Sequence, residues 1–218
     1  MAWVKQLKEF LSHKDNEKYD IFIETGFLKG QTLHNASKLK RETGDETGEY
    51  VFKKLYSLEL HEEYFTEALS LQRPNIKALV ESGRAILVPG DSAVTMPQVL
   101  ENITDPSMFY LDAHGHNDVG QEVPNNPLFK ELEAIAAHHI KGHLIVIDDV
   151  GFIEHAVENP DRAPWATLTG GIDKLKEYID QQVALQLNSL SKGEERFEDL
   201  EDEISAVPVP KVTLEEIL

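Results

Sequence analysis

The chain contains no cysteine, which removes thiol nucleophiles, zinc–thiolate centres and disulfides from consideration and leaves its redox compartment open. It is poor in positive charge: 21 Lys and Arg stand against 39 Asp and Glu, a formal charge of −18. A surface of that sign repels phosphate backbones and anionic lipid, so nucleic-acid and membrane-surface partners are not expected without a local basic patch. The densest basic group, Lys38, Lys40 and Arg41, is followed at once by acids. Long apolar runs are missing too; none approaches the ~18 residues of a membrane span. The opening M-A-W-V-K-Q-L-K-E-F-L is broken by charge and lacks a signal-peptide core. The expectation is a cytoplasmic protein of one domain over residues 1–218, long enough at 218 residues for a sizeable core.

What is present alternates. Trp3, Leu7, Phe10 and Leu11 share one helical face. Tyr19–Ile23 reads as a strand and Thr32–Leu39 as a helix, and the twice Gly-broken polar stretch 41–49 reads as a surface loop. Leu55–Leu60 is a second strand, followed by a helical pattern from Glu62 to Gln72. Ala85–Val88 is a third strand, Met96–Leu100 a short helix and Met108–Leu111 a fourth strand. Pro127–Ala137 carries Leu128, Leu132, Ile135 and Ala136 at helical spacing, and His143–Ile147 is a fifth strand. Short continuous apolar strands alternating with helices predict an α/β fold: a Rossmann-like, doubly wound, mainly parallel sheet with helices on both faces. Its core spans about 19–150. In 151–218, Ile172–Val183 reads as helix, 192–203 holds seven acids against two bases, and A-V-P-V-P is at best an edge strand.

Acids follow or close every strand candidate: Glu24, Glu59, Asp91, Asp112 and the pair Asp148–Asp149. In a doubly wound sheet, ligands bind beyond the carboxyl ends of the strands, so these acids mark the expected site.

Four constellations carry chemistry. Glu24-Thr25-Gly26-Phe27-Leu28-Lys29-Gly30 lies between a strand and a helix, where a nucleotide-type cofactor needs glycine for close backbone approach. Its G-x-x-x-G spacing is neither a P-loop nor a nicotinamide-type turn, and an ordinary strand-to-helix turn also fits. Glu59, at the end of the next strand, can accept both hydroxyls of a ribose, or is a surface glutamate. Gly90-Asp91-Ser92 offers an acid and a hydroxyl to an adenine edge, or is a turn and helix N-cap. Asp112-Ala113-His114-Gly115-His116 pairs with Asp148–Asp149 to gather carboxylates that repel one another unless a proton or a hard cation is shared. His114 is placed there as ligand or general base; the alternative leaves both histidines exposed and gives Asp112 to cofactor binding or capping.

Taken together, I-F-I-E-T-G-F-L-K-G, Y-S-L-E-L, V-P-G-D-S, F-Y-L-D-A-H and L-I-V-I-D-D-V resemble the class I S-adenosylmethionine-dependent methyltransferases. The closest resemblance is to a glycan and natural-product O-methyltransferase branch, over roughly residues 20–150. The resemblance implies that Glu24, Gly26 and Gly30 surround the methionine moiety, Glu59 the ribose, and Asp91 and Ser92 the adenine. It implies Mg²⁺ or another divalent cation on Asp112, Asp148 and Asp149, with Asp112 and His114 as the catalytic pair. His114 departs from the aspartate base of the related metal-dependent sugar O-methyltransferases, and no hairpin corresponding to strands six and seven is visible in 185–218. The activity implied is methylation of a hydroxyl on a sugar or other small molecule, with an acceptor pocket built from 1–18, 115–127 and 151–170. Two rivals remain: a non-catalytic binding protein on the same fold, and a metal-dependent phosphoester hydrolase, whose motifs occur here in the wrong order.

Overall fold

The computed structural model describes residues 5–13, 16–41, 48–72, 74–113 and 127–148. His114, His116, Asp149 and everything assigned to 151–218 lie outside them. Helix α1 (Lys5–Ser12) is followed by β1 (Ile21–Thr25), α2 (Gln31–Lys38) and β2 (Lys54–Glu59). Next come α3 (Glu62–Glu67), a π-helical segment Ala68–Gln72, α4 (Pro74–Glu81) and β3 (Ala85–Pro89). The described chain ends with α5 (Ser92–Leu100), β4 (Met108–Leu111), α6 (Leu128–Ala137) and β5 (Leu144–Ile147).

All strand pairs are parallel, and the order across the sheet is β3-β2-β1-β4-β5. This is the expected doubly wound arrangement. The chain first builds outward from β1 through β2 to β3, then returns to lay β4 against the other side of β1. In a doubly wound sheet the reversal of strand order, here between β1 and β4, is where ligands bind, beyond the carboxyl ends of the strands.

Alternation along each strand sends successive side chains to opposite faces. Phe22, Leu55, Met108, Tyr110, Leu144 and Val146 face one layer, with Leu11, Leu33, Phe65 and Ile76 of α1 to α4 packed over them. Ile23, Leu58, Phe109 and Leu111 face the other, covered by Met96, Val99 and Leu100 of α5 and Leu128, Leu132 and Ile135 of α6. Fully burying each such side chain stabilises by roughly 1.5–3 kcal/mol. Among the described residues no helix is long and apolar enough to cross a membrane.

Several boundaries differ from expectation for identifiable reasons. β1 starts at Ile21, because Tyr19 donates its N–H to the Asn16 carbonyl in a turn and the Asp20 carbonyl accepts from Lys53 and Lys54. The strand then runs through Glu24 rather than stopping before it. The helix expected over 62–72 breaks at Ser70, whose ψ of 172° is extended, and a separate helix α4 follows that the pattern did not announce. α5 begins at Ser92 and carries Pro97 inside it. The sequence expectation began only at Met96.

Candidate functional site

The two glycines of the β1–α2 turn have different duties. Gly26 adopts φ +82°, and a Cβ there would collide with the carbonyl oxygen of Asp112 and lie 2.8 Å from its carbonyl carbon. The N–H of Asp112 returns to the Thr25 carbonyl and hydroxyl, each at 3.2 Å. Gly26 therefore lets the ends of β1 and β4 touch; the close approach is backbone to backbone, where ligand contact was expected. Gly30 adopts φ +65°, and a Cβ there would press 2.7 Å from the Phe27 ring, itself packed edge-on against Phe65 at 4.8 Å. It precedes α2, whose first turn receives no side-chain cap.

Glu24 is 1 % exposed on the α1–α4 face, flanked in register by Ser57 of β2 and Tyr110 of β4. Its Oε1 accepts from the Ser57 hydroxyl at 2.6 Å, and its Oε2 has no hydrogen-bond partner. Burial pushes this carboxyl up to about 8; the Ser57 bond opposes the shift, and the negative charges of Asp112 and Glu59 add to it. At neutral pH it is mostly an uncharged acid holding its proton.

Glu59, also buried, accepts the Leu28 N–H on Oε2 and the His61 N–H on Oε1, both at 2.9 Å. It ties the loop after β1 to the start of α3, and each oxygen keeps a further lone pair. The turn itself holds Leu28 at φ +44°.

Asp91 acts as the N-cap of α5, its Oδ1 accepting from the Ala93 N–H at 2.9 Å. The capping alternative is thus realised, and its exposed side chain still faces the rim. Ser92 is buried and gives its hydroxyl to Oε1 of Glu131 on α6 at 2.5 Å. Glu131 is a residue that sequence reasoning missed. Burial raises it to about 7; the hydroxyls of Ser92 and Thr25 lower it, and the charge of Asp91 raises it. A signal was present: positions 128, 131, 132 and 135 form one helical stripe, and an acid interrupts it.

Asp112 and Asp148 both end up partly buried at this edge. Asp148 accepts the Tyr110 hydroxyl on Oδ2 at 2.6 Å, and its N–H returns to the Leu111 carbonyl at 3.0 Å. The fold thus brings Glu59 and Asp112 each within electrostatic reach of Glu24, and Asp91 within reach of Glu131. Of the cation ligands implied by resemblance, Asp149 lies outside the described residues, and among those described no three ligating side chains converge.

No family model and no curated protein matches this chain. Among solved structures it is similar to the O-methyltransferase from Bacillus cereus in complex with SAH, at 18 % identity over 84 % of this chain and 70 % of that one, with a TM-score of 0.49. No residue role follows from a likeness of that degree.

Proposed function

We propose that the chain transfers a methyl group from S-adenosylmethionine to a hydroxyl of a small molecule or glycan. The observation that carries this reading is the composition of the crevice at the β1/β4 reversal. A buried neutral acid with a free oxygen, Glu24, stands beside acids that are only partly used, and apolar side chains lie exposed at the same rim. Leu60, directly after β2, is 62 % exposed, and Val94, in the first turn of α5, is 60 % exposed. Such side chains in so acidic a setting suit the faces of an adenine ring, and the remaining lone pairs of Glu59 suit a ribose diol. The acidic rim also complements a sulfonium cation better than it does a pyrophosphate, with Lys29 the one lysine or arginine in the described segments after the strands.

The cofactor, when bound, supplies a methyl already activated by positive sulfur. The protein's remaining tasks are to hold an acceptor oxygen in line and to take its proton. Glu24 keeps its own proton and presents it from a fixed position between β2 and β4. Asp112, backbone-tied to Thr25, orients the segment that leads to His114, the base in this reading. Asp148, with the Tyr110 hydroxyl on one oxygen, stands at the neighbouring strand end. Together with Asp112 and Asp149 it forms the proposed divalent-cation set.

Calorimetry with S-adenosylmethionine and S-adenosylhomocysteine tests the reading on wild type and Leu60→Asp, an exposed position whose substitution spares the core. Wild type is expected to bind both, and the variant to bind at least tenfold more weakly, since a charge would then face the base. Absence of heat with wild type, or equal affinities, would overturn it.

A further inference from the structure

Glu131 is a second acid inside the core, besides Glu24, and the proposed chemistry gives it no task. It is fully buried on the packed face of α6, between Leu128 and Ile135. Removing a carboxyl group from water is costly unless hydrogen bonds compensate, and a helix that had only to pack would carry leucine here. Its Oε1 takes the Ser92 hydroxyl, and the Thr25 hydroxyl at the end of β1 is close enough to act on the same carboxyl. Ser92 is the first residue of α5, so this bond fixes the turn between β3 and α5 from behind. The same turn is held from β2 by the Gly90 N–H on the Glu59 carbonyl at 2.8 Å. At the rim, Asp91 keeps Oδ2 as an acceptor, and the Ser92 N–H, at the head of the helix, has no intrahelical partner. An acceptor beside a donor complements the edge of adenine, which offers an amine next to a ring nitrogen. Such a pair discriminates only if its spacing is held, because hydrogen bonds weaken steeply with misalignment.

We propose that Glu131 is a positioning residue for the adenine end of the cofactor, acting through Ser92 on the Asp91–Ser92 turn. This rests on the methyl-transfer reading but concerns only its adenosyl half. The test is calorimetric binding of S-adenosylhomocysteine and of adenosine, alongside melting temperatures, for wild type, Glu131→Gln, Glu131→Ala, Ser92→Ala and the Glu131→Ala/Ser92→Ala double variant. The glutamine variant keeps an acceptor for the serine hydroxyl and is expected to bind within about twofold of wild type. Glu131→Ala and Ser92→Ala are each expected to lose about tenfold toward both ligands, with the double variant little worse than either. Lower melting temperatures with unchanged affinities would make Glu131 purely structural and overturn the proposal while sparing the methyl-transfer reading. Failure of wild type to bind either ligand would overturn both. Should Glu131→Ala not fold, Ser92→Ala, which removes a single oxygen, decides alone.

Discussion

Ser57 and Glu24 stand opposite each other on adjacent parallel strands, and the serine hydroxyl donates to a carboxyl group that is otherwise sealed from water. That single bond is too little to keep the acid ionised. The folded protein holds a proton here up to a pH of about 8, which an unfolded chain releases near 4.5. Over that window the native state binds more protons, so this group's contribution to stability falls as pH rises. Glu24→Gln removes the titration. Unfolding free energies from denaturant titrations are expected to be similar for the two proteins at pH 4 and to favour the variant by up to about 5 kcal/mol at pH 9. A difference independent of pH would show that Glu24 is ionised in the fold.

The glycines give a graded prediction. Gly26→Ala introduces both a left-handed backbone penalty and a collision with the Asp112 carbonyl, whereas Gly83, at φ +71°, has nothing within 4 Å of a built Cβ. Gly83→Ala is expected to cost about 1 kcal/mol and Gly26→Ala about 3 kcal/mol or more. Chemical denaturation of the two variants checks the order; equal losses would mean that the β1 and β4 ends can move apart freely.

At the other edge of the sheet, the Ser107 N–H donates to His143 Nδ1 at 3.0 Å, and His143 Nε2 lies 3.0 Å from His138 Nδ1. With Nδ1 accepting, the neutral ring donates from Nε2. Burial, and then the neighbouring His138, lowers the His143 value to about 4 from an ordinary 6.5. The unfolded chain therefore binds the proton first. Stability from this group is complete above about pH 6.5 and is lost as pH falls toward 4. Because the ring is partly exposed, the loss is put at about 1–2 kcal/mol. His143→Gln should flatten the acid limb of a melting-temperature profile, and an unchanged limb would place the titration elsewhere.

Tyr110→Phe removes the hydroxyl that donates to Asp148 Oδ2 at 2.6 Å. A loss of about 1–2 kcal/mol is expected. Urea titrations of wild type, Tyr110→Phe, Asp148→Ala and the double variant isolate the coupling between the two side chains. Strictly additive losses would trace the effect to packing of the ring instead.

The sequence was most readable where one signal dominated. Met108–Leu111 is a continuous apolar run ending at Asp112, and the strand has those same bounds. Reading failed where a polar side chain is buried by a partner distant along the chain. Glu24 lies inside its strand because Ser57 meets it, and Glu131 lies inside the core because Ser92 does. Neither partner is visible in a local pattern. Gly26 was singled out as a glycine that lets a ligand approach the backbone; the fold adds a second reason for it, the backbone of Asp112, a contact only the assembled sheet creates. Asp91 fitted two readings on sequence alone; the fold realises its cap and leaves its second oxygen toward the rim. α4 passed unnoticed although Pro74, at its first position, marks a helix start; the break itself, at Ser70, carries no glycine or proline.

Glu59 answers two amides at once, one on each oxygen. Glutamine, ordinarily the mildest replacement for glutamate, would turn one of those acceptors into a donor and set it against a backbone N–H. Aspartate is one methylene shorter and would have to choose between the two. The junction of the first two loops therefore tolerates neither conservative exchange, and the span between the two amides, rather than charge alone, dictates which amino acid can stand there.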